Sequence, residues 1–208
     1  MTCPFRGGFF TASPGDPDLL ALAAAGNSAA ASVLPSDAAA FLVARPAEGT
    51  GMGLYLRDQF TCPHEMTLAA YWGHLTRTPN PSSHFVYQYP PGSVPGVGLH
   101  LCVDAHNQCR HDPPLVTHAG FANHSCENPT CAPHLLRIPG CTLPVIVLRP
   151  RHSLRGGSAI TYNYDAHSAA DAFTVTAGTA ATLLAAGRAC FPCRCADPLP
   201  CPRHRYFL

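Results

Sequence analysis

Charge is scarce in this chain of 208 residues: Asp, Glu, Lys and Arg together make up 12% of it. The formal net charge is +1 with histidine neutral, so no strong field draws the chain to nucleic acid or to an anionic membrane. No run of about 18 consecutive apolar residues occurs, which argues against a membrane-spanning helix. The opening, Met1-Thr2-Cys3-Pro4-Phe5-Arg6, lacks the basic-then-apolar order of a secretory signal. Arg6 is the only arginine among the first 40 residues, where a transit peptide wants several. Despite 12 histidines there is no His-Glu-x-x-His run, so the usual helical zinc-hydrolase pattern is absent. No internal repeat is found.

Proline, glycine and cysteine are what the chain has in quantity: 22, 17 and 11 residues. The first two favour turns between short elements over long helices. An odd number of cysteines cannot all pair within one chain. Without a secretory signal, the expectation is an intracellular, reducing setting in which thiols bind metal. At 22.0 kDa and 47% hydrophobic residues, the chain is long enough to bury a substantial core.

Residues 1–40 read as a mobile or helical N-terminal extension. Asp16 caps and Pro17 opens a helix over Leu19-Leu20-Ala21-Leu22, and Gly26 is a stop signal. From Phe41 the pattern changes. Phe41–Arg45 and Leu54–Leu56 read as strands around the glycine-rich turn Glu48–Gly53. A short helix is expected around Leu68–Leu75. Further strands are expected in His84–Tyr89, Val97–Asp104, Val145–Arg149 and Ala159–Tyr164, and a loop over 105–119. Residues 166–189 are Ala- and Thr-rich, with a helical stretch at Ala180–Ala186. The expected class is mainly β.

Three stretches carry chemistry. Asn123-His124-Ser125-Cys126, followed by Glu127-Asn128-Pro129, packs an amide, an imidazole, a hydroxyl and a thiol into four residues. Such side chains compete with backbone hydrogen bonding, so a turn or loop-like crossing suits them. Gly157-Ser158-Ala159-Ile160-Thr161-Tyr162-Asn163-Tyr164 follows some thirty residues later. Cys193-x-Cys195 and Cys201 offer three thiols within nine residues, one short of the four that structural zinc takes.

In this order the three stretches resemble the SET-domain protein-lysine methyltransferases with a post-SET zinc loop. The resemblance covers Phe41 to the C-terminus. It implies a SET-like fold of several small sheets with a pseudoknot and short helices over 41–189, and a zinc-binding segment over 190–208. It implies S-adenosylmethionine as cofactor, with Gly51, Met52, Gly53, Asn123, His124 and Tyr164 as its contacts. Tyr164 matches the tyrosine of the reaction centre, and Tyr162, two residues before it, the position lining the lysine channel. A tyrosine there implies mono- or dimethylation. The resemblance makes Cys126 the fourth zinc ligand with Cys193, Cys195 and Cys201, while Cys190 with the last three is a competing set. The implied partner is a protein with a target lysine, such as a histone tail, acted on by a monomer in the nucleus or elsewhere inside the cell. Neither direct nucleic-acid binding nor a membrane is expected.

Four departures stand against the pattern. Asn128-Pro129 reverses the usual order, and Gly120 replaces an arginine. Ser158 and Ala159 replace acidic residues, and the spacing from Cys195 to Cys201 is one residue longer than usual. The reversed Asn128-Pro129 and the lost acids after Gly157 motivate the alternative of a catalytically inactive, zinc-stabilised binding module on the same scaffold.

Overall fold

A computed structural model describes residues 9–33, 38–47, 51–78, 86–97, 101–105, 119–125 and 128–164. Short strands dominate these residues: β1 (Phe10–Ala12), β2 (Leu42–Ala47), β3 (Gly51–Leu56), β4 (Ala69–Tyr71), β5 (Gly73–Thr76), β6 (Val86–Gln88), β7 (Cys102–Asp104), β8 (Asn123–His124), β9 (Cys131–Leu136), β10 (Val145–Pro150) and β11 (Ala159–Tyr162). Two helices, α1 (Pro17–Val33) and α2 (Ala38–Phe41), and a 3-10 turn at Ala119–Phe121 complete them. The strands form three small sheets, ordered β1-β5-β7-β6, β4-β10-β9 and β2-β3-β11-β8. The mainly β class of several small sheets read from the sequence is therefore the observed one.

β2 and β3 pair antiparallel from Leu42↔Leu56 to Ala47↔Gly51, which is the expected hairpin with β3 starting earlier, inside the glycine run. Gly51 takes a φ of 81°, a left-handed conformation that glycine tolerates without strain. β10 is the central strand of its sheet, and Val145 to Leu148 are at most 1% exposed. A four-residue apolar run buried on both faces is what such a strand requires. β9 runs along its edge, where Pro133 is tolerated because β10 is its only strand partner among the described residues.

The helix expected around Leu68–Leu75 is instead two strands. Ala69–Tyr71 pairs with β10, while Gly73–Thr76 lies between β1 and β7. Leu68 through Trp72 are all buried, so no solvent face exists for a helix to present. Gly73 sits where a Cβ would come within 2.5 Å of the Asp104 carbonyl oxygen, a close crossing of two backbones.

The helix opened by Asp16 and Pro17 forms, and the Leu19 amide donates to Asp16 Oδ1 at 3.1 Å. That bond, together with the neighbouring Arg77, lowers the Asp16 carboxyl below its ordinary value. Gly26 does not stop α1, which runs on to Val33. A Cβ at Gly26 would lie 2.6 Å from Leu143 Cδ2 and 2.9 Å from Phe10 Cδ2, so the glycine lets the helix approach β1 closely. The next residue, Asn27, clamps Phe10, accepting from its amide and donating to its carbonyl at 2.9 Å. Leu19, Leu22 and Ala23 join one core with residues of all three sheets.

Candidate active site

The Asn-His pair sits at a junction of strands. After the 3-10 turn, β8 lays Asn123 and His124 parallel to β11, opposite Thr161 and Tyr162. β11 pairs with β3 at Ala159 and Ile160, so its partner changes from β3 to β8 along its length. Carbonyls two or four residues apart on an extended strand face the same edge. Ser158 O accepts from the Leu56 amide and Tyr162 O from the Ser125 amide, so β3 and β8 lie end to end on one edge of β11.

This arrangement brings the glycine turn to the Asn-His pair. Asn123 Nδ2 donates to the Met52 carbonyl at 3.4 Å. A Cβ at Gly53 would sit 3.0 Å from Asn123 Nδ2 and 2.9 Å from the Tyr55 ring, so the amide packs where only glycine leaves room. The Met52 side chain is exposed.

His124 and Tyr164 form the second contact. The Tyr164 amide donates to His124 Nδ1 at 3.2 Å, which leaves Nε2 to carry the proton of the neutral ring. The Tyr164 hydroxyl donates to the Ala122 carbonyl at 2.7 Å. Tyr164 is thus held at backbone and at side-chain tip by the Ala122–His124 segment. Its ring stands edge-on to His124 at 5.2 Å and lies 4.7 Å from that of Tyr162, which is 4% exposed.

Gly51, Met52, Gly53, Asn123, His124, Tyr162 and Tyr164 therefore converge from three places in the sequence. Cys126, Cys193, Cys195, Cys201 and the competing Cys190 lie outside the described residues, as do residues 166–189 and most of 105–119. Among the described residues no group of three or more His, Cys, Asp or Glu side chains is placed to hold a metal ion.

Three nearby residues escaped the sequence reading. Tyr71 and Tyr87, with ring centroids 5.8 Å apart, continue the aromatic wall. Burial, and after it Tyr164, Asp104 and Tyr87, push the Tyr71 hydroxyl well above its ordinary value, so it stays protonated and able to donate at any working pH. Reading residues 68–75 as a helix hid Tyr71. The third is Thr130, whose hydroxyl lies 2.8 Å from Ala159 O and accepts from the Thr161 amide at 2.9 Å. A threonine after a proline gives no signal of this in sequence.

No protein-family model matches the chain, and no curated protein matches it. Solved structures of similar shape include KRYPTONITE in complex with mCHG DNA and SAH, at 18% identity and a TM-score of 0.46, covering 65% of this chain and 24% of that one. CpSET8 from Cryptosporidium matches at 15% identity and a TM-score of 0.45, covering 59% of this chain and 56% of that one. KRYPTONITE with mCHH DNA, an H3(1-15) peptide and SAH matches at 18% and 0.43, covering 59% and 23%. The chain thus spans about a quarter to about half of the length of these structures. Likenesses this distant assign no reaction to it.

Proposed function

We propose that this protein is an S-adenosylmethionine-dependent protein-lysine N-methyltransferase built on a SET-like scaffold. The observation that carries the reading is the junction itself. Two motifs some forty residues apart meet through the His124–Tyr164 contact, and Asn123 reaches the glycine strand at Met52. An arbitrary pair of polar loops has no reason to assemble in that way.

S-adenosylmethionine supplies an electrophilic methyl group on a sulfonium. The nucleophile is a neutral lysine amine, which loses its proton before attack; the N–C bond forms as the C–S bond breaks, and S-adenosylhomocysteine leaves. The protein's task is mainly aiming, because the chemistry needs an in-line approach and little acid–base help. Gly51 to Gly53 and Asn123 form the face that takes the cofactor. Tyr164, fixed at both ends, aims the amine: its hydroxyl proton is committed to Ala122, so its lone pairs face the incoming N–H groups. Tyr162 and Tyr71 narrow the channel behind it, limiting the product to mono- or dimethyl-lysine. A zinc held by Cys126, Cys193, Cys195 and Cys201 belongs to the same proposal, as do a histone-like substrate and a nuclear setting.

The test is incubation of the chain with labelled S-adenosylmethionine and a panel of histones and cell extract. All 13 residues counted as Lys plus Arg are arginine, so label on lysine belongs to an added substrate. Tyr164→Phe is expected to lower turnover about 100-fold, the scale of a misplaced reactant, while circular dichroism stays that of the unmodified chain. Wild-type turnover in the Phe variant removes Tyr164 from the mechanism. Absence of both transfer and S-adenosylhomocysteine binding by the unmodified chain leaves the inactive scaffold as the reading.

A further inference from the structure

We propose that Thr130 is a positioning residue for the tyrosine pair, setting where Tyr162 and Tyr164 stand by closing the free edge of β11. The inference deepens the methyltransferase reading and rests on it for its kinetic part. With β3 and β8 end to end on one edge of β11, the Ala159 carbonyl and the Thr161 amide point to the opposite edge. No described strand pairs there. Thr130 takes both groups with one hydroxyl, donating to Ala159 O at 2.8 Å and accepting from Thr161 N at 2.9 Å. Its own amide donates to Thr161 Oγ1 at 3.1 Å, and its carbonyl accepts from the Arg151 amide at 2.9 Å. A single residue thus replaces a neighbouring strand at the point where β11 changes partner.

Position makes this more than local repair. Thr130 immediately precedes β9, whose register with β10 is fixed over six pairs, so the hydroxyl ties β11 to a rigid sheet. It also follows Asn128-Pro129, the pair that reverses the order usual in the motif. The fixed φ of Pro129 leads straight into the residue that makes the clamp. On the other side, Thr161 is followed by Tyr162 and two residues later by Tyr164. Loss of the clamp frees the second half of β11 to move away from β8, which loosens the Tyr164 amide from His124. Asn123 keeps its own tie to Met52 on β3, so the face that Gly51 to Gly53 and Asn123 offer the cofactor is spared.

The test compares Thr130→Val, which removes donor and acceptor at nearly constant shape, with Thr130→Ser, which keeps them. Amide hydrogen exchange is the first readout and needs no activity. In Thr130→Val, exchange at both Thr161 and Tyr164 is expected to rise tenfold or more, and in Thr130→Ser to stay within threefold. The second readout is kinetic: kcat is expected to fall about tenfold in Thr130→Val with affinity for S-adenosylhomocysteine within twofold, and serine to rescue it. If Thr130→Val does not fold, Thr161→Val, which removes the Oγ1 hydroxyl and leaves that of Thr130 in place, is expected to show the same pattern at smaller size. Unchanged exchange at Tyr164 overturns the proposal, as does equal loss of kcat in the valine and serine variants, or a loss confined to cofactor affinity. If the unmodified chain transfers no methyl group, the methyltransferase reading fails, while the exchange data still decide whether Thr130 positions the tyrosines.

Discussion

Tyr162 shows how far a single residue can be read. Its place two residues before Tyr164 is legible in the sequence, and so is its strand. Its depth is not: at 4% exposure it belongs to the core as well as to the tyrosine pair. Both roles follow from β11 lying against β8 with the ring turned inward. On the methyltransferase reading, a phenolic hydroxyl beside the lysine amine holds a water or the amine through one hydrogen bond, a net of about 0.5–1.5 kcal/mol. That is enough to change product ratios roughly threefold to tenfold. Tyr162→Phe is therefore expected to shift the products toward trimethyl-lysine, followed by mass spectrometry over the time course. Trimethyl-lysine as the main product of the unmodified chain contradicts the assignment. The Asn-His pair stood out because its residue types are unusual where they stand, and the two tyrosines stood out only through their link to that pair in the resemblance. Tyr71 and Thr130 were not, because an apolar run and an ordinary threonine acquire their meaning only from partners about seventy-five and thirty residues away.

At the scale of elements, local signals decided starts and tertiary packing decided ends and types. Asp16 and Pro17 mark the start of α1 because capping is chemistry within one turn. Gly26 misled as a stop because its reason lies in Leu143 and Phe10, far away in sequence. The run Leu68–Leu75 misled for a related cause: Ala and Leu favour helix, but burial and pairing with β10, β1 and β7 override so weak a preference. The conflict at Gly26 gives a prediction in which two magnitudes compete. Alanine in a helix interior is better than glycine by about 1 kcal/mol. Overpacking a core costs typically about 1–3 kcal/mol. The atoms that a new Cβ meets at 2.6 and 2.9 Å belong to Leu143 and Phe10, 0% and 2% exposed, which have no solvent to swing into. Packing wins, and Gly26→Ala is expected to destabilise the chain by about 1–2 kcal/mol in urea unfolding. A stabilised variant would mean that α1 stands further from β1 than the geometry gives.

For the whole molecule, the question is which of the 11 cysteines serve the fold as apolar filler and which hold metal. Cys62 and Cys131 lie in the core, and burial pushes their thiols up to about 11 and about 12. A ligand to zinc is a thiolate, so each would have to be ionised at a cost that buried surroundings raise further. Cys126, Cys193, Cys195 and Cys201 remain as the set that the resemblance implies, with Cys190 in competition for the place of Cys126. The two sets have different consequences. With Cys126, the metal ties the chain's end to the segment that carries Asn123 and His124; with Cys190, it closes only the tail upon itself. Structural zinc contributes an apparent 10–16 kcal/mol or so in small peptides, as much as the whole stability of a typical domain. Elemental analysis is expected to give about one zinc per chain. Cys126→Ser is expected to lose most of it while Cys190→Ser keeps it, and a chelator should expose the C-terminal segment to protease before the core unfolds. On the methyltransferase reading, loss of the zinc also weakens S-adenosylhomocysteine binding if Cys126 is a ligand, because Asn123 and His124 stand three and two residues away. Zinc retained in Cys126→Ser and lost in Cys190→Ser would place the metal in the tail alone, and the junction of strands would then have to stand without it.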